Sequence, residues 1–376
     1  MIRINLTDKS EIKTKHFNGL QSFVKNQIIS KRSVTTDPNL IEFLDFLVSN
    51  VETLLCGNKS ELQRIIHFIE SNYFISKSKL SKILGNRKRG IKVRELNSYL
   101  INYAKETQLV NHLPSNAYLK VRNFKKEVND LSIYKWPGFE KVLEDIFDYK
   151  GFTQKTKGWS AYDLVSELDV SVCPYCNRSF VSILKSENKK TRPVLDHYYA
   201  KSLYPYLALS LFNLIPSCYV CNSSFKGDTD FYSQEAIYPY EEEFSDFAIF
   251  KTDFNETEPF DYRYLLGISK EFQISIINSA PDKETRNKIN NSVETFALDA
   301  IYNKHQDVVR DLIRNAIVNN TSRINEIYNS FPDIFNSRED VMQSLYLNYF
   351  DKQNAGRRPL SKLTQDICRE MGLLNT

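Results

Sequence analysis

Four of the six cysteines fall in two C-x-x-C pairs, Cys173-Pro174-Tyr175-Cys176 and Cys218-Tyr219-Val220-Cys221, with 41 residues between Cys176 and Cys218. No other feature constrains the fold as tightly, because it ties two distant segments to one point. Each C-x-x-C turn aims two sulfurs at a common centre. Two such turns face to face make a closed S₄ tetrahedron, the donor set of Zn²⁺. Four sulfurs leave no open position for water, so the zinc is expected to be structural. Its binding contributes on the order of 10 kcal/mol to folding a motif with little core of its own. The alternative is redox chemistry, but neither pair sits in a thioredoxin-like βαβ context, and redox leaves the second pair unexplained. Cys56 and Cys368 are isolated and are expected to be buried small hydrophobes.

Between and just after the pairs lie the other chemistry-bearing residues: Leu195-Asp196-His197, Asn213-Leu214-Ile215-Pro216, Asn222 and Lys226-Gly227-Asp228. Asp196 and Asn222 offer oxygen donors, which suit Mg²⁺ or Mn²⁺. His197 offers a nitrogen base with an ordinary pKa near ~6.5, suited to deprotonating water at neutral pH. A hard cation and a base beside a phosphate are the requirements of phosphodiester hydrolysis. One condition attaches to this. Neighbours on a strand point to opposite faces, so Asp196 and His197 share a site only if the strand ends or turns there. A basic cluster, Lys185, Lys189, Lys190 and Arg192, precedes Asp196 and is expected to contact phosphate.

In this order the elements C-P-Y-C-N, L-D-H-Y-Y-A-K-S, N-L-I-P-S-C and C-N-S-S-F-K-G-D resemble the zinc-stabilised HNH endonucleases, the ββα-metal nucleases. The resemblance covers residues 173–228. It implies a β-hairpin followed by a helix, with a catalytic metal between them. It implies that Asp196 and Asn222 bind that Mg²⁺ or Mn²⁺, that His197 is the general base, and that Asn213 holds the loop orienting His197. It also implies that Lys226 contacts a phosphate and that the four cysteines bind zinc. Two positions depart from the pattern: Ala200 stands where many members have proline, and the last catalytic position is Asn222 rather than histidine.

The flanks read mainly as helices. Residues 1–155 form an expected helical region. Asp37-Pro38 starts a helix whose apolar face runs from Ile41 to Leu55 before Gly57, and Ser60-Glu61-Leu62-Gln63 opens a second. Further helices are expected near 76–84, 93–107 and 139–148. Residues 156–235 hold the module. Residues 236–376 begin with strands in which Phe247 and Ile249 alternate, then Phe272, Ile274 and Ile276. Between module and strands, Tyr240-Glu241-Glu242-Glu243 is expected as a solvated turn. Helices follow, one with Ile301, Val308, Val309, Leu312, Ile313 and Ala316 on a face, one capped by Ser337, and a last one near 360–371. The expected class is therefore α+β, mainly helical, with a central zinc-stabilised ββα-metal module between helical flanks. The scarcity of glycine, 11 in 376 residues, agrees with helices.

A formal charge of +4 is too mild to name an anionic partner, so any basic surface is local. Eight basic residues and no acidic ones lie between Lys77 and Arg94, either a phosphate grip or a solvated helix face. Gly85 to Lys92 lacks the Gly-Lys-Ser/Thr ending of a P-loop and is not expected to bind nucleotide. No run approaches the ~18–20 apolar residues of a membrane span, and the first residues lack the apolar stretch of a secretory signal, so a cytoplasmic protein is expected. The central L-D-H-Y-Y and the R-P-L-S-K-L-T of Arg358–Thr364 look like Septu-type HNH proteins of bacterial anti-phage defence. That resemblance implies DNA as substrate and an ABC- or SMC-like ATPase as partner. Two other outcomes remain open: the same chemistry on RNA such as tRNA, or a zinc-scaffolded module that binds nucleic acid or a partner without cutting.

Overall fold

The computed structural model describes residues 1–6, 9–73, 91–92, 118–119, 139–154, 158–186, 189–245, 247–253 and 262–374. The helices expected near 76–84 and 93–107 and the basic run from Lys77 to Arg94 lie outside the described residues, apart from the two-residue strand Ile91–Lys92. What is described is α+β and mainly helical, with four two-stranded antiparallel sheets.

Four helices open the chain: α1 (Lys9–Ser33), α2 (Pro38–Ser49), α3 (Val51–Cys56) and α4 (Lys59–Asn72). In α1 the buried residues Ile12, His16, Leu20, Val24 and Ile28 recur every fourth position and form one stripe. Asp37 caps α2 as expected, its side chain accepting from the N–H groups of Asn39 and Leu40. The single apolar helix expected from Ile41 to Leu55 breaks at Asn50, whose side-chain amide donates to the Phe46 carbonyl at 2.8 Å. Gly57 ends α3. The cap of α4 is Asn58, not Ser60. Asn58 Oδ1 accepts from Glu61 N at 3.0 Å and Glu61 Oε2 accepts from Asn58 N at 2.8 Å. Counting three positions back from Glu61 places the box on Asn58.

Three short helices follow, α5 (Phe139–Ile146), α6 (Tyr149–Gln154) and α7 (Ala161–Leu168). Two hairpins come next: β3 (Leu184–Lys185) with β4 (Lys190–Thr191), and β5 (Val194–His197) with β6 (Leu214–Ser217). The numbering leaves β1 (Ile91–Lys92) and β2 (Tyr118–Leu119) as a separate pair. After β6 comes a seven-residue π-type helix, Val220–Lys226, closed by Gly227 N–H to the Asn222 carbonyl at 2.9 Å.

The last part pairs β7 (Ala248–Asp253) with β8 (Gln273–Asn278). Its buried face is one residue out of step with the expected one on β7. Ala248 and Phe250 are buried, while Phe247 is 43% exposed. Phe250 pairs with Ile276 and Thr252 with Ile274, so the apolar residues of β8 select the even-numbered face of β7. The helices are α8 (Lys283–Thr295), α9 (Leu298–Tyr302), α10 (Gln306–Val318), α11 (Thr321–Ser330), α12 (Arg338–Tyr346) and α13 (Ser361–Glu370). Of the expected face, Val309, Leu312, Ile313 and Ala316 are buried on α10, while Val308 is half-buried and Ile301 belongs to α9; Ser337 caps α12 through its hydroxyl, which accepts from Asp340 N. Glu242 is not solvated as expected. It accepts from Tyr238 N at 2.8 Å and from Lys288 of α8 at 3.0 Å, and Lys59 of α4 stands 3.7 Å away. Buried apolar residues from all three stretches of the chain join in one core, and Cys56 and Cys368 lie in it, as expected.

Candidate functional site

The two C-x-x-C turns do face each other. All four cysteine sulfurs lie within 4.8 Å of one another, and Cys176 and Cys218 are 4.0 Å apart. Zn–S bonds of ~2.3 Å arranged tetrahedrally place sulfurs about 3.8 Å apart, so the cluster fits zinc with little adjustment. Hydrogen bonds among the four sulfurs pull the Cys176 and Cys218 thiols down and push that of Cys221 up, and burial pushes that of Cys173 up. Among the described residues these four form the one group of three or more His, Cys, Asp or Glu donors gathered at metal-binding distance.

The first turn is built by Cys173 N–H to Ser179 O and Asn177 N–H to Cys173 O, at 2.9 and 2.8 Å. Asn177 takes a left-handed conformation, φ +51°, which asparagine tolerates better than most residues. Its side chain reaches the C-terminal signature. Asn177 Oδ1 accepts from Ser361 Oγ and from Lys362 N, both at 3.1 Å, and Nδ2 donates to Ala355 O at 3.3 Å. Its carbonyl accepts from Leu360 N at 2.6 Å. The R-P-L-S-K-L-T segment thus grips the first C-x-x-C turn. Tyr302 adds a hydrogen bond from its hydroxyl to Cys176 O at 2.6 Å. Neither Asn177 nor Tyr302 stood out in the sequence, although asparagine directly after a C-x-x-C pair is a turn signal.

β5 and β6 form the hairpin, and the ladder runs unbroken through Asp196 opposite Ile215 and His197 opposite Leu214. The strand ends at His197, and the two residues meet different neighbours. Asp196 is 2% exposed. Its Oδ2 accepts from the Tyr175 hydroxyl at 2.6 Å, and its Oδ1 lies 3.3 Å from the Lys226 ammonium. Burial pushes its carboxyl above the usual range, against the pull of Lys226 and Tyr175. Lys226, expected at a phosphate, is 2% exposed and donates inward to the His197 carbonyl at 2.6 Å. Asn222 is half-buried, its amide donating to Ser223 Oγ at 3.1 Å. The Mg²⁺ or Mn²⁺ site expected on Asp196 and Asn222 is not met by this donor set. The one carboxylate it needs is buried, with both oxygens already facing donors.

His197 is half-buried on the other side. Its Nε2 lies 3.0 Å from the Ala208 carbonyl, which only accepts, so Nε2 carries the proton and Nδ1 keeps its lone pair. The imidazole packs edge-on against Tyr149, with centroids 4.5 Å apart. Burial lowers its pKa to about 3, with Lys226 and Lys201 adding to the effect. Asn213 is fully buried and clamps the connecting loop. Oδ1 accepts from Tyr199 N at 2.7 Å, and Nδ2 donates to the carbonyls of Tyr199 and Leu207, both at 3.1 Å. That is the loop-holding place the resemblance implies for it. A groove of about 540 Å³ opens beside Tyr149, where Lys150 and Lys201 stand with Glu144, Asp145 and Asp148; Tyr149 and Ala208 line it, and His197 packs behind them.

Lys189 and Lys190 are exposed at the tip of the β3–β4 hairpin. Arg192 is half-buried, bonded to the Pro193 carbonyl at 2.9 Å and lying 5.6 Å from the Tyr162 ring centre. Of the other histidines, His16 is fully buried. It donates from Nε2 to Leu209 O and accepts at Nδ1 from the Trp159 indole, at 2.8 and 3.0 Å. His67 is exposed, and His305 accepts from Arg178 at 2.8 Å. His112 lies outside the described residues.

No family model matches this chain, and the curated proteins and the solved structures give no match to it either.

Proposed function

We propose that the chain is an HNH-type endonuclease that hydrolyses phosphodiester bonds in DNA. The observation that carries this is the state of His197. The Ala208 carbonyl fixes its proton on Nε2, so Nδ1 is a free lone pair. Burial lowers its pKa to about 3, so the ring is neutral at pH 7 and a weaker base than a free imidazole. A neutral imidazole held in one tautomer can take a proton from water as that water attacks phosphorus. The bond from phosphorus to the leaving oxygen breaks, that oxygen takes a proton from solvent water, and the imidazolium returns its own proton to solvent. The four-cysteine cluster holds β5 and β6 beside the Val220–Lys226 helix, and Asn213 holds the loop that carries Ala208. The adjoining groove is of mixed charge, with Lys150 and Lys201 beside Glu144, Asp145 and Asp148. The likeness of L-D-H-Y-Y and R-P-L-S-K-L-T to anti-phage HNH proteins supports a role in defence beside an ABC- or SMC-like ATPase.

The test is cleavage of supercoiled plasmid and of total RNA across a titration of Mg²⁺ and Mn²⁺, with wild type and His197→Ala. Plasmid nicking by wild type alone supports the proposal. RNA cleavage without nicking changes the substrate to RNA. The closed Asp196 favours one second reading, a zinc-scaffolded module that binds without cutting. Equal background from both proteins on every substrate supports that reading instead.

A further inference from the structure

We infer that Lys226 is the resident cation of this hairpin and helix, its ammonium holding the carboxylate that a divalent ion would otherwise take. An ammonium has three N–H bonds, and each finds a partner here. One donates to the His197 carbonyl at 2.6 Å, one faces Asp196 Oδ1 at 3.3 Å, and the Phe231 ring lies 5.0 Å from Nζ to its centre. The side chains of Lys226 and Asp196 are 1% and 2% exposed, so water does not answer either charge. The remaining Asp196 oxygen is taken by Tyr175, whose neighbours in sequence are the zinc-turn residues Pro174 and Cys176. The cluster is therefore closed on all sides by the protein itself.

The placement gives Lys226 a second effect. It ties down the backbone carbonyl of His197, so it is a positioning residue for the imidazole rather than a group that meets substrate. A divalent ion reaches Asp196 only by displacing this ammonium from both oxygens it holds. The inference deepens the proposed function, and its bearing on hydrolysis rests on that proposal. The competition itself is a property of Asp196 and Lys226 and is measurable without any cleavage.

Mn²⁺ binding to the zinc-loaded full chain, followed by the electron paramagnetic resonance signal of free Mn²⁺, tests it in wild type, Asp196→Asn, Lys226→Met and the double variant. Asp196→Asn alone is expected to leave Mn²⁺ affinity within about twofold of wild type, because the carboxylate is already engaged. Lys226→Met is expected to bind Mn²⁺ at least about tenfold tighter, and the double variant to lose that gain, tenfold being a modest share of what a freed carboxylate contributes. A tenfold loss in Asp196→Asn, or no gain in Lys226→Met, overturns the inference. Should Lys226→Met fail to fold, the Asp196→Asn result decides by itself. Nicking that survives His197→Ala would remove the nuclease proposal and leave the Mn²⁺ result standing, so the two failures are distinguishable.

Discussion

Replacing Asn213 with alanine removes three hydrogen bonds at one fully buried point. The Tyr199 N–H and the Tyr199 carbonyl lose their partner, while the Leu207 carbonyl keeps the Ser210 N–H at 3.1 Å. A buried polar group left without a partner costs about 1–3 kcal/mol, and relaxation of the loop pulls the sum towards the low end. With two groups orphaned the expected loss is about 2–4 kcal/mol, a sizeable share of the ~5–15 kcal/mol that stabilises a typical domain. Asn213→Asp does not rescue it. Aspartate keeps the acceptor for Tyr199 N but sets its second oxygen against two carbonyls. Urea unfolding of the zinc-loaded protein reads the loss as a lower midpoint at unchanged slope. The same loop carries Ala208, so the variant also frees the His197 ring, and its pKa rises from about 3 towards the ordinary value in an NMR titration. A loss below about 1 kcal/mol, or a His197 pKa that stays put, would refute the clamp.

Acid should destabilise the protein well before its carboxylates titrate. His16 is fully buried, and burial lowers its pKa to about 4 in the folded chain against about 6.5 unfolded. The unfolded state then binds the proton first, so stability is complete above pH 6.5 and falls as pH drops towards 4. The loss is about 3 kcal/mol from His16, with His197 acting in the same direction, and urea midpoints against pH follow it. His16→Phe should flatten part of that dependence. Asn177→Gly keeps the left-handed turn but drops the bonds to Ala355, Ser361 and Lys362, while Asn177→Ala loses both. Alanine should therefore be the less stable of the two by about 1 kcal/mol, and equal stability would deny any cost to the turn. Zinc removal by a chelator, or Cys218→Ser, should melt the hairpin region with a loss on the order of 10 kcal/mol in binding energy, seen as lost near-ultraviolet dichroism.

What the sequence disclosed was what local chemistry decides. C-x-x-C spacing names its own ligand set, and the four sulfurs meet as expected. Asp37, Gly57 and Ser337 act on backbone within a few residues of themselves, and all three sit where expected. The hairpin of β5 and β6 followed by a helix was likewise expected. What stayed hidden depends on residues brought from far away. Lys226 stands 30 positions after Asp196, and only the packing of the Val220–Lys226 helix on β5 turns a surface lysine into a buried partner. The same holds for Asn177, whose partners are more than 170 residues distant, and for Glu242, held between α4 and α8. The alternation of Asp196 and His197 was a strand rule in plain view. The expectation of a shared site required the strand to end or turn there; β5 does end at His197, yet Asp196 is held by Tyr175 and Lys226 while His197 bonds Ala208.

The central claim is that a zinc-held hairpin presents the Nδ1 lone pair of His197 as a base. Nicking of supercoiled plasmid by wild type and His197→Ala, compared at equal zinc content and equal melting temperature, tests it most directly. The account predicts loss of at least ~100-fold in the variant, the ordinary worth of a positioned general base. A His197→Ala protein that nicks as fast as wild type would contradict it.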